Sequence, residues 1–319
     1  MPRDPISPSS EASSLGRALP AGETSSLGRA LPAGETSPRP TLPAGETSSL
    51  GRALPAGEIS PRPTLPAGLS GRGGKCPALY VPHNLTPTHS LRYDWTGWPT
   101  TGASLPPATA AVARDTAGLW KQDGIDLLEA HVAPDKVQLL FSATPRVSPV
   151  LFCARVKGRL QHSLRKSGAP VSFSRKVAFR GLGENITDTV ETYIHRQVSK
   201  GDFADPRFRR TMEAFTVVRE DIDLSVPSET NSGRYWYNLH VVLVVAGRFR
   251  ITKPEKLGQI LDAALRVADE IGCRVSALSV MPDHVHAAVR GPIERSPEDI
   301  ALAFQNGLAR AAGCRVWQD

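Results

Sequence analysis

The chain has 319 residues, 40% hydrophobic and 22% charged, with a formal net charge of +7. That length suffices for two ordinary cores, and the positive balance favours a polyanionic partner such as nucleic acid. The four cysteines, Cys76, Cys153, Cys273 and Cys314, form no Cys-x-x-Cys pair. This argues against a disulfide framework or a zinc-thiolate site and for a reducing cytoplasm. No apolar run reaches membrane-spanning length, and no apolar signal core opens the chain.

Residues 1–75 carry Leu-Pro-Ala-Gly five times, starting at Leu19, Leu31, Leu42, Leu54 and Leu65. Units this short and this rich in Pro and Gly cannot bury a core, so disorder is expected. Globular composition begins near Leu79. Ser90–Trp95 reads as a strand, Ala108–Gln122 as a helix, Ile125–Val132 and Lys136–Phe141 as strands joined by a Pro-Asp turn. Ser148-Pro149 opens a helix to about Lys166, with Ser at the N-cap and Pro at the first helical position. It carries Arg155, Lys157, Arg159, Arg165 and Lys166, either a solvated face or a surface for a DNA backbone. Asn185–Ser199 reads as a further helix, because Ile186, Val190, Ile194 and Val198 form one apolar stripe. Residues 201–232 read as a linker with an apolar patch at Phe215–Val218. Tyr237–Val245 is a β-branched strand, with His240 expected as a packed strand histidine. Arg248 and Arg250 follow it as further basic candidates for DNA. Glu255–Glu270 is an amphipathic helix, Cys273–Val280 and His284–Val289 are strands, and Ser296-Pro297 opens a last helix.

The two globular parts repeat each other at an offset of 148 positions. Gly272 falls on Gly124, Pro282 on Pro134, Asp283 on Asp135, Ser296 on Ser148 and Pro297 on Pro149. Leu239 falls on Leu91 in the same gap-free register, and Trp317 on about Phe173 after a short gap. The shared order is strand, helix, strand, turn, strand, helix. It predicts an α+β fold of tandem ferredoxin-like (split βαβ) domains, each an antiparallel sheet with helices on one face. Four segments follow: a disordered repeat tail over 1–75, a first copy over 76–200, a linker over 201–232 and a second copy over 233–319. The repeat is unequal at one place. His284 and His286, two imidazoles on one face of a strand, are a half-site for a divalent metal. Their counterparts are Lys136 and Gln138, and an ammonium group cannot ligate a metal at neutral pH.

Tyr237-Asn238-Leu239-His240 and Met281-Pro282-Asp283-His284-Val285-His286 resemble the single-tyrosine HUH transposases of the insertion-sequence-200 type and their REP-associated relatives. Tyr193-Ile194-His195-Arg196-Gln197 resembles that family's second motif, a Tyr and a Gln four apart on a helix. The resemblance spans residues 234–319 and, more distantly, 79–200. It implies a Mg²⁺ or Mn²⁺ ion held by His284, His286 and Gln197. It also implies Tyr193 as the nucleophile that cuts single-stranded DNA and becomes a 5′-phosphotyrosine. Hairpin or single-stranded DNA is then the partner. The first copy keeps Tyr193 and Gln197 without the histidines, and the second keeps the histidines without a Tyr helix. The expectation is one composite site, built in a homodimer or within one chain acting as a pseudo-dimer. The alternative for Tyr193 is an ordinary amphipathic-helix tyrosine. The alternative for the chain is a decayed or domesticated binder of structured single-stranded DNA that does not cut.

Overall fold

The computed structural model describes residues 80–318, apart from 87, 90, 184–186, 197 and 199–205. The repeat tail over 1–75, Cys76 and Gln197 lie outside the described residues. The first half runs β1 (Arg92–Pro99), α1 (Thr109–Gln122), β2 (Ile125–Ala133), β3 (Lys136–Ala143), α2 (Pro149–Lys166) and β4 (Phe173–Leu182). Its strands lie in the order β2-β3-β1-β4, antiparallel throughout. That is the ferredoxin-like arrangement expected from the repeat. β1 extends past the predicted strand because Gly97 does not break it. A Cβ at Gly97 would stand 2.4 Å from the Trp95 ring, so the glycine leaves that ring its place in the core. Alternate residues of β1 and β3 are buried, which leaves the other face of this sheet open to solvent.

Then follow α3 (Thr187–His195), α4 (Pro206–Glu213), β5 (Thr216–Val218), β6 (Ser228–Thr230), β7 (Gly233–Trp236) and β8 (Asn238–Val244). The second half closes with α5 (Pro254–Ile271), β9 (Arg274–Val280), β10 (His284–Arg290) and α6 (Pro297–Ala312). Its sheet has the order β5-β9-β10-β8. The stretch expected as a linker contributes, in its described residues 206–232, a strand to each sheet. Its apolar patch is β5, which pairs with β9, while β6 pairs with β7 and β7 joins the first sheet beside β4. The β4–β7 junction is parallel and tight. Gly233 has φ 147°, and a Cβ there would lie 1.9 Å from the Val177 carbonyl oxygen.

Strand pairing corrects the repeat register by two residues on the first strand of each copy. Leu239 faces Val289, and in the first half it is Tyr93, not Leu91, that faces the equivalent Phe141. The strand-to-helix connection absorbs the difference. At the chain's far end Trp317 bridges Val245 just as Phe173 pairs with Pro99, in line with the match drawn from sequence. One core spans both halves. Phe179 of β4 lies 6.0 Å from the ring of Tyr235 and 6.4 Å from that of Tyr237, where the chain passes from one sheet to the other.

The second sheet differs from the first in having both faces covered. β9 and β10 are buried along almost their whole length. α5 and α6 pack together on one side. On the other lies α3, from the end of the first half, packed against β5, β9 and β10. Ile194 of α3 meets Ala277, Ala288, Ile222 and Leu224 in a small separate apolar cluster, with Val190 against it. Arg290 and Asn238 hold the loop carrying Leu224: the Asn238 side-chain amide donates to the Leu224 carbonyl at 2.9 Å, and Arg290 donates to the carbonyls of Leu224 and Val226. Helices on one face only, as expected, thus describes the first sheet and not the second.

Candidate metal and nucleophile site

β10 begins directly after the Pro-Asp turn, so His284 and His286 project from the same face of the second sheet as α3. Their ring centroids are 4.8 Å apart, nearly perpendicular. His286 is 6% exposed. Burial, together with the neighbouring His284 and His240, pushes its imidazole down to about 3, so it is neutral across the physiological range. The Nδ1 of His284 donates to Asp283 Oδ1 at 2.6 Å. Burial alone would raise the Asp283 carboxyl, but the hydrogen bond and charge of His284, with the Arg248 guanidinium, outweigh it and hold it below the usual range. Arg248 reaches Asp283 Oδ2 at 3.2 Å.

Tyr193, from the first half, stands against His286. Its ring is 5.4 Å from that of His286 and 6.4 Å from that of His240, edge-on in both cases. It is 38% exposed. The apolar stripe of α3 explains the placement: Ile194 is buried in the cluster beneath, which turns the adjacent Tyr193 toward the histidine end of β10. The sequence thus names three residues that the fold brings together from opposite halves. Gln197, two residues past the end of α3, lies outside the described residues.

Sequence reasoning missed His240. It was expected as a packed strand histidine, yet it is exposed and its Nε2 lies 2.9 Å from His286 Nδ1. The two rings are stacked with centroids 5.1 Å apart. The signal lay in parity. His284 pairs with Val244 and Ala288 with His240, so the even-numbered residues of both strands share one face. Although the residue as a whole is exposed, its ring is stacked on His286 and loses solvent there, which lowers the His240 imidazole below its ordinary value.

The donor chemistry fits a divalent ion in part. Two imidazoles each have Nδ1 engaged and Nε2 left over, which suits Mn²⁺ better than Mg²⁺, an ion that prefers oxygen. Among the described residues no group of three or more His, Cys, Asp or Glu side chains is arranged to hold a metal. Further ligands must come from an amide oxygen, water or substrate. In the first half the equivalent positions are closed on themselves: Gln138 donates to Asp94 Oδ2 at 2.8 Å, and Lys136 is exposed.

The basic residues divide into two groups. Arg155 and Arg159 reach Asp123 at 3.6 and 2.5 Å and tie α2 to the end of α1, while Lys157 donates to the Ser174 carbonyl at 2.7 Å. A phosphate would have to compete with those partners. Arg165, Lys166, Arg248 and Arg250 are exposed. Arg248 alone among these seven reaches the histidine site, through Asp283.

The sequence matches the family described as transposase, IS200-like, over residues 111–197 and 234–312, just over half of the chain and parts of both halves. No curated protein matches it. Among solved structures, a Deinococcus radiodurans R1 protein assigned as a transposase is similar at 20% identity and TM-score 0.27, over 35% of this chain and 93% of that one. A VAO-type flavoprotein of Myceliophthora thermophila C1 aligns at 12% identity and TM-score 0.20, over 70% of this chain and 37% of that one. The regulatory subunit of aspartate kinase from Thermus thermophilus aligns at 11% identity and TM-score 0.18, over 68% of this chain and 97% of that one.

Proposed function

The chain belongs to the IS200-like transposase family, and on that premise we propose that it cuts and rejoins single-stranded DNA through a 5′-phosphotyrosine, at one divalent-metal site composed from its two halves. The observation that carries the reading is the 5.4 Å approach of the Tyr193 ring to that of His286. These residues stand more than ninety positions apart and in different copies of the repeat, and nothing in local structure requires them to meet.

His284 and His286 are the imidazole ligands, with the amide of Gln197, four positions after Tyr193 in the sequence, expected as a third ligand. The bound ion, Mn²⁺ or Mg²⁺, supplies charge neutralisation at the non-bridging oxygens of the scissile phosphate. Tyr193 Oη is the nucleophile. Its phenol proton departs, the new P–Oη bond forms as the P–O3′ bond breaks, and the 3′ oxygen takes up a proton as it leaves. The phenolate is a tolerable leaving group, so the same 3′-hydroxyl or another can reverse the step and rejoin the strand. Arg248 at the site and the exposed Arg250, Arg165 and Lys166 are the basic side chains for the DNA backbone.

The test is a hairpin-tipped single-stranded DNA with Mn²⁺. A covalent protein–DNA adduct is expected with the native chain and is lost in Tyr193→Phe and in His284→Ala. An adduct that persists in Tyr193→Phe removes the assignment. A second reading, a DNA binder that does not cut, is favoured by the metal-donor set, which among the described residues stops at two imidazoles. Tight hairpin binding without any adduct would select it.

A further inference from the structure

His240 and Asp283 take no part in the roles set out above, yet each engages one of the two imidazoles. Asp283 Oδ1 is 2.6 Å from His284 Nδ1, and His240 Nε2 is 2.9 Å from His286 Nδ1. In both histidines Nδ1 is the nitrogen taken, and Nε2 the one left. A carboxylate only accepts, so Asp283 fixes the proton of His284 on Nδ1 and its lone pair on Nε2. His240 does the same for His286 when its own proton is on Nδ1, because its Nε2 is then an acceptor.

We propose that His240 and Asp283 are positioning residues that hold His286 and His284 as Nδ1–H tautomers, so that both present Nε2 lone pairs to one divalent ion. Imidazole ligands are commonly fixed by such a partner on the other nitrogen. The contact is built into the sheet. His240 directly faces Ala288, whose methyl leaves room for the ring to lean along the strand to His286. The first half keeps the same diagonal without a metal ligand: Asp94 and Gln138 occupy the positions of His240 and His286 and are hydrogen-bonded at 2.8 Å. Asp283 is itself steadied by Arg248 at 3.2 Å. A role for His240 as a third ligand is disfavoured, because its Nε2 is spent on His286.

The inference rests on His284 and His286 being the metal ligands, and the experiment separates the two. Long-range ¹H–¹⁵N spectra of the full, metal-free chain at neutral pH read each histidine's tautomer. Nδ1–H is expected for His284 and His286, and for His286 it is expected to give way to a mixture in His240→Leu. Mn²⁺ titration of the same chain reads the consequence. His240→Leu and Asp283→Ala are expected to lower Mn²⁺ affinity about 10–100-fold, while His240→Gln and Asp283→Asn, which keep an acceptor, stay within about threefold of the native value. An Nε2–H tautomer at either residue of the native chain, or unchanged affinity in both truncations, overturns the proposal. A native chain that binds no Mn²⁺ removes the metal reading alone, and the tautomers still decide whether these residues position the imidazoles.

Discussion

His286 is the residue on which the site's electrostatics turn. It is buried between two other imidazoles, so its protonated form is penalised by lost solvation and by its neighbours. The folded chain therefore resists a proton that the unfolded chain accepts near the ordinary histidine value. Between about pH 6.5 and about 3 the unfolded state binds more protons, so folding stability falls as pH falls. The slope attributable to one such group reaches about 1.4 kcal/mol per pH unit. Urea midpoints of the metal-free chain, measured from neutral to mildly acidic pH, are expected to drop less steeply in His286→Gln. Equal slopes would mean that His286 is not held neutral by burial. The same shielding keeps the Nε2 lone pair available well into acid. His284 and His286 were legible from the chain because a strand fixes the relation of residues two apart. His240 was not, since its contact exists only once β8 is paired with β10 in one particular register, and the gap-free alignment of the repeat gives that register wrongly by two residues.

At the scale of elements, the second sheet is shaped to receive a helix and the first is not. Under α3 lie Ala277 and Ala288, small enough for Ile194 to seat itself fully. Their counterparts in the first half are Leu140 and Glu129, which would hold a helix away. Ala288→Leu is therefore expected to overpack the α3 cluster, costing about 1–3 kcal/mol in urea unfolding. By displacing Tyr193 it is also expected to lower adduct formation at least about tenfold, since small misplacements of a nucleophile are costly. Leu140→Ala, on the open face of the first sheet, serves as the control and should leave the adduct unchanged. If Ala288→Leu forms adduct at the native rate, the seating of α3 does not position Tyr193. Long elements with strong patterns were readable from the sequence: α2 starts at the Ser148-Pro149 signal and α6 at Ser296-Pro297, where Ser296 and Asp299 form a reciprocal capping box. β5 and β6 were not readable. Each has only three residues, too few for a pattern to separate them from a linker; β5 takes its hydrogen bonds from β9, far away in sequence, and β6 from β7, just across a two-residue turn.

At the largest scale, two copies of a fold share one core in a single chain. The halves are joined by the β4–β7 pairing, by the shared core around Phe179, Tyr235 and Tyr237, and by a clasp at the termini of the described chain. There Tyr80, ahead of β1, exchanges backbone hydrogen bonds with the Asn306 side chain of α6, and its hydroxyl bonds to the backbone of Trp317. With the halves so held, α3 lies on its own chain's second sheet, and Tyr193 meets His286 as an intramolecular neighbour at a high effective concentration. A site assembled in this way has a consequence that mixing experiments read directly. Tyr193→Phe and His284→Ala each leave a chain with half of the proposed machinery. Mixed together they are expected to form no adduct, and the native chain's adduct rate per molecule is expected to stay constant on dilution. If α3 instead reached across to a second copy, mixed pairs would contain one intact combination of Tyr193 with His284 and His286. Adduct would then return on mixing, and the native rate would fall with dilution. Either of these results would move the site from within the chain to between chains.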